Sequence, residues 1–164
     1  MTRTQKSLPD IVRREITALL PTLEAVARGG PIASDLEDAP TLDRWSYVAR
    51  GPVPALAGLA REHAILPDTA IVTSQVVWCD AEAGHARTRS RWYRLGPRST
   101  IAPEVSCNGL VLPSLGGARA ETLMVQAPTV LLAVARDLGE PDLEDRMAAI
   151  VAAWPPDVRH GRLR

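Results

Sequence analysis

The chain contains no phenylalanine, one lysine (Lys6) and only two cysteines, Cys79 and Cys107, which no C-x-x-C spacing joins. Isolated cysteines of this kind read as small buried hydrophobes in a reducing compartment, which argues against a disulfide framework or a zinc site. No G-x-G-x-x-G opens a helix after a strand, and LGGAR at 115–119 lacks the lysine and the glycine spacing of a phosphate loop, so nucleotide binding has no support. His63 and His160 have no ligand partners at metal spacing. Neither a cofactor nor a metal is therefore expected. Charge of one sign is absent too: nineteen basic residues balance nineteen acidic ones, so no global field draws the chain to nucleic acid or to an anionic membrane. Apolar runs such as that at 130–135 are far too short to span a bilayer, and the first residues have no stretch of signal-peptide length. These absences predict a cytoplasmic protein with no membrane contact.

What is present is a chain of 164 residues, enough for a single domain that buries about two-thirds of its unfolded surface. Eighteen of the nineteen cations are arginine, a bias that, with the abundant alanine, we read as coding composition. Ser7 ahead of LPD can cap a first helix on which Leu8, Val12, Ile16, Leu19 and Leu23 recur at helical spacing. Pro21 predicts a kink or restart, and Gly29-Gly30 a stop. Residues 29–44 read as an acidic connector with room for one helical turn. A short strand is expected at 45–50, and residues 55–63 are ambiguous. The β-branched run 71–79, the turn composition of 80–84 and the alternation of 86–95 predict a β-hairpin. A strand pair around Asn108-Gly109 and a last strand at 121–126 complete the set. Helices at 128–138 and 141–154 follow, the second with Leu143, Met147, Ile150 and Trp154 on one stripe, which serves either the core or a homodimer seam. Its acidic start is the opposite of what a DNA-recognition helix needs. The tail at 155–164 has no apolar periodicity and is expected to be mobile. The fold class is thus α+β, an antiparallel sheet of four to six strands flanked by an N-terminal helix and a C-terminal helix pair.

The stretch HARTRSRWYR at 85–94 carries the binding hypothesis. On one continuous strand, alternation sends Arg87, Arg89, Arg91 and Tyr93 to a single face. Guanidinium groups there must meet solvent, internal carboxylates or a ligand, because unpaired charges are not buried. Same-face residues about 7 Å apart match the spacing of successive phosphates, and Tyr93 offers a ring for stacking. Five arginines and no acid lie between Glu82 and Glu104.

The segment TSQVVWCDAEAGHARTRSRWYRLG at 73–96, with LDRW and VPALAG upstream, resembles a small bacterial family of unknown function. The resemblance covers about a third of the chain and implies that the hairpin belongs to a recurrent module, with no activity attached. One departure is His85, where the family pattern has an aromatic residue before the alanine.

Three functions follow as expectations. The first is a non-catalytic binding or regulatory protein that uses the basic strand face (Arg87, Arg89, Arg91, Tyr93) against an acidic protein partner. The second gives the same face to nucleic acid. The third is an enzyme using Cys79 and His85, which flank the predicted hairpin turn as a thiol and imidazole pair.

Overall fold

A computed structural model describes residues 7–99, 106–107 and 110–154. Helix α1 (Leu8–Ala27) is capped as its sequence predicts, with the Ser7 hydroxyl accepting from the Asp10 amide. It runs unbroken through Pro21. The carbonyl that Pro21 cannot bond, that of Thr17, belongs to an exposed residue, where water can take the place of the missing amide. The acidic connector is shorter than expected: one short helix, α2 (Ala33–Glu37), and then strand β1 (Thr41–Arg50), which already includes residues 41–44.

Five strands follow: β2 (Val53–Arg61), β3 (Thr69–Val72), β4 (Val76–Asp80), β5 (His85–Thr88) and β6 (Trp92–Leu95). Two predicted strands are therefore each divided. The run 71–79 breaks at Thr73–Gln75, where the Thr73 hydroxyl accepts from the Leu56 amide and the Thr73 carbonyl accepts from Arg50. The run 86–95 breaks at a turn on which the buried Thr88 hydroxyl gathers the amides of Ser90 and Arg91 and donates to the Arg91 carbonyl. Side-chain bonding to nearby backbone is how threonine competes with a ladder.

The sheet order is β3-β2-β1-β6-β5-β4. Two antiparallel three-stranded meanders lie side by side, joined by one parallel seam between β1 and β6. The sheet is thus mixed and mostly antiparallel. Only three residues connect β3 to β4, although these strands form its opposite edges. Four Cα steps of about 3.8 Å reach about 15 Å at most, whereas a flat sheet of six strands would hold its edges about 24 Å apart. The sheet must therefore curl toward a barrel, and β4 does come into contact with β2. At the β1 bulge the two backbones close up: a Cβ on Gly58 would lie 2.8 Å from the Asp43 carbonyl oxygen, so only glycine fits there.

Inside the curl lie Leu42, Trp45, Tyr47, Leu56, Ala60, Cys79, Ala86 and Tyr93, closed off by Ala120 and Met124 of α3 (Gly117–Asp137). That helix occupies residues 121–126, where a last strand was predicted. The buried positions Ala120, Met124, Pro128, Leu132 and Ala135 keep a helical period straight through the segment. On the outer face of β4–β6, Val77, Trp78 and Trp92 pack against α1, α3 and α4 (Pro141–Ala153). Leu143, Met147, Ile150 and Trp154 are buried in that same cluster, so the stripe is spent on the chain's own core and is no free dimer seam.

A short hairpin of β7 (Ser106–Cys107) and β8 (Leu110–Val111) agrees with the strand pair predicted there. The Asn108-Gly109 turn itself, residues 100–105 and the tail 155–164 lie outside the described residues. No helix among the described residues is long and apolar enough to cross a membrane.

Candidate functional site

The β4–β5 turn does not bring its thiol and imidazole together. Cys79 pairs with Ala86 and points into the curl, where 1% of its surface is exposed. Burial pushes its thiol up to about 12, against the lowering effect of a hydrogen bond with Tyr47. His85 sits on the opposite face, its ring 5.0 Å from that of Trp78 and 6.1 Å from that of Trp92. A buried protonated thiol is a poor nucleophile, and no imidazole lies on its side of the sheet within the β4–β5 turn. The Cys79–His85 pair lacks the geometry that catalysis would need.

The arginines are dispersed in the same way. Cross-strand pairing sets Trp78, Arg87 and Trp92 in one row on the outer face, with the Arg87 guanidinium 5.6 Å from the Trp92 ring centre. Burial lowers the Arg87 pKa, and Asp35 partly offsets this. Arg89 stands on the turn and pairs with Glu15 of α1 at 2.8 Å. Arg94, next to the predicted site, pairs with Glu62 at 2.6 Å. Because the Thr88–Arg91 turn resets the alternation, Tyr93 shares a face with Ala86, away from Arg87. The four residues predicted to line one strand face therefore occupy three separate environments.

Arg91 and Tyr93 remain together, on a groove of about 370 Å3 between β3 and the start of β6. His63, Leu66, Ser74 and Ser90 line it too. Among the described residues no carboxylate lies within 4 Å of the Arg91 guanidinium, which sets it apart from Arg89 and Arg94. The Thr88 hydroxyl holds the Arg91 amide at 3.2 Å, and the Ser74 and Ser90 hydroxyls meet at 3.0 Å across one end of the groove. His63 Nδ1 accepts from the amides of Ile65 and Leu66, each at 3.2 Å, which leaves its ring proton on Nε2. Burial and the nearby Arg91 charge lower the His63 pKa below its ordinary value, so the ring is neutral at pH 7. A fixed positive charge, an imidazole N–H and two hydroxyls make this groove receptive to an anionic group. Nothing in the pattern around His63 or the two serines marks them in sequence, since sheet curvature, not spacing, assembles them. Among the described residues no cluster of His, Cys, Asp and Glu could hold a metal ion.

A family model for a family of unknown function, DUF6634, matches residues 7–151. The chain belongs to this family. The DUF6634 match takes in α1, all six strands of the curled sheet, α3 and α4 as far as residue 151, far more than the hairpin alone. No curated protein and no solved structure matches the chain.

Proposed function

We propose that this DUF6634 protein is a non-catalytic binding protein whose groove receives a carboxylate of an acidic protein partner at Arg91. The observation that carries the reading is the contrast among neighbouring arginines: Arg89 and Arg94 have carboxylates of their own chain, whereas Arg91 faces a polar groove with none within 4 Å among the described residues. A hydrogen bond to a charged group contributes about 1.5–3 kcal/mol, so one such anchor changes affinity by about ten- to hundredfold. Leu66, 41% exposed, supplies apolar surface beside it. The rival, phosphate contact along a row of arginines, has lost its row, because Arg87 is stacked on Trp92 and Arg89 is paired.

Titration of the 15N-labelled protein with hexaglutamate and, separately, with a mixed-sequence single-stranded oligonucleotide tests this. The expected result is a set of shift changes centred on His63, Ser74, Ser90 and Arg91 with hexaglutamate, absent in Arg91→Ala. Shifts centred on Arg87 and Arg89 with the oligonucleotide alone would overturn the reading in favour of nucleic acid.

A further inference from the structure

The groove is walled on one side by five consecutive residues, Ala70 to Ser74. Side chains on a strand alternate between faces, so a continuous run can line a groove only by presenting its backbone edge. β3 is the last strand of the sheet on that side. Its ladder with β2 fixes which groups are free. The Thr73 amide donates to the Leu56 carbonyl at 2.8 Å, continuing the register that pairs Ile71 with Gly58 and Thr69 with Ala60. Antiparallel pairing alternates, so the amides and carbonyls of Ala70 and Val72 point away from β2, toward the groove.

Natural sheet edges are usually defended by charge, proline, a bulge or a covering element. The other edge, β4, is in contact with α1 and α3. β3 reads TAIV, with no charge and no proline, and among the described residues it pairs with no strand other than β2. Just ahead of it Ile65 is 77% exposed and Leu66 41%.

We infer that the partner binds as an added β-strand along β3, an extended acidic segment whose backbone bonds Ala70 and Val72 while one of its carboxylates meets Arg91 across the groove. This rests on the Arg91 reading above and adds to it the partner's conformation. Main-chain bonds give such complexes much of their affinity, and side chains set the register. Among the described residues the β3 edge is open and Arg91 on the facing wall has no carboxylate within 4 Å, and both features are complementary to the same extended, acidic occupant.

The test begins with selection of binders to the full chain from a random decapeptide display library. Enriched peptides are expected to carry Asp or Glu. Methylation of alternate backbone nitrogens in such a peptide should weaken its binding to the wild-type protein at least tenfold, and so should Ala70→Pro. Proline is tolerated where an edge amide faces outward, and Ala70→Ser, which keeps that amide, should bind normally. Should Ala70→Pro fail to fold, the methylated peptides alone decide. Peptides indifferent to methylation and to Ala70→Pro but lost in Arg91→Ala would overturn strand addition and leave the anionic groove standing. The reverse pattern, sensitivity to methylation but not to Arg91→Ala, would remove the anchor instead. No enrichment, or a dimer in sedimentation that Ala70→Pro abolishes, would overturn the inference, the second in favour of another copy of this chain.

Discussion

Arg89 and Arg91 stand two residues apart on one turn and have opposite surroundings. The first is tied to Glu15 of α1 on the helix-covered side of the meander, and the second faces the groove on its concave side. The helix-covered side has paired its charges and aromatic rings: Arg87 on Trp92, Trp78 against Trp92 with ring centres 6.0 Å apart, Arg89 on Glu15. The groove side has not. A cluster of like charges in a sequence therefore says little about a surface until the partners of each member are known, because internal pairing removes some charges and curvature assigns the rest.

Four substitutions or conditions sharpen this contrast. Trp92→Ala should cost about 3–5 kcal/mol, read as a fall in the urea midpoint, since Trp92 is 5% exposed and joins the sheet to the helices. A loss below about 1 kcal/mol would mean that the helix-covered side is not core. Thr88→Val strips the hydroxyl that organises the turn and leaves two amides without their partner, at a cost of about 1–3 kcal/mol. Hexaglutamate affinity should drop with it, because the same hydroxyl holds the Arg91 backbone. Unchanged affinity in a destabilised Thr88→Val protein would separate the turn from the groove. Arg89→Ala should cost less than about 1 kcal/mol, as expected of a half-exposed ion pair.

The smallest effect concerns pH. The His63 pKa is lowered in the folded chain, so the neutral ring contributes stability that is present above the ordinary histidine value and is lost as pH falls through the folded one. Protonation of Nδ1 also removes the acceptor used by the Ile65 and Leu66 amides. Protection factors at those two amides, which already correct for the intrinsic slowing of exchange in acid, should therefore fall as pH drops through the titration of the His63 ring. Protection that persists after the His63 ring resonances show it protonated would mean that His63 does not hold the loop.

Helices α1 and α4 and the β4–β5 hairpin were legible because period and capping speak locally: Ser7 with Asp10, Pro141 with the acidic first turn of α4, Asp80 and Gly84 at the β4–β5 turn. The divisions at Thr73–Gln75 and Thr88–Arg91 were not, since each depends on a threonine hydroxyl that reaches backbone once the sheet has curled. An alternation count carried across such a turn loses its parity, and so Tyr93 changed faces. The parallel β1–β6 seam left no mark either, for it joins residues more than fifty apart and is short, two register pairs and a Trp45–Arg98 bridge beyond them. Of the predicted site, Arg91 and Tyr93 stay together, while Cys79 and His85 part across the sheet. In sequence His63 has no ligand partner at metal spacing, and Ser90, Arg91 and Tyr93, which line the groove with it, come from the other meander.

The central claim is that Arg91, and not the arginine cluster as a whole, is the anchor. Hexaglutamate affinity measured by calorimetry on the wild-type chain, Arg91→Ala and Arg89→Ala at near-physiological salt tests it most directly. The account predicts a loss of about tenfold or more in Arg91→Ala and a change within about twofold in Arg89→Ala. Equal losses in the two variants would contradict it, placing the attraction in the diffuse charge of the hairpin.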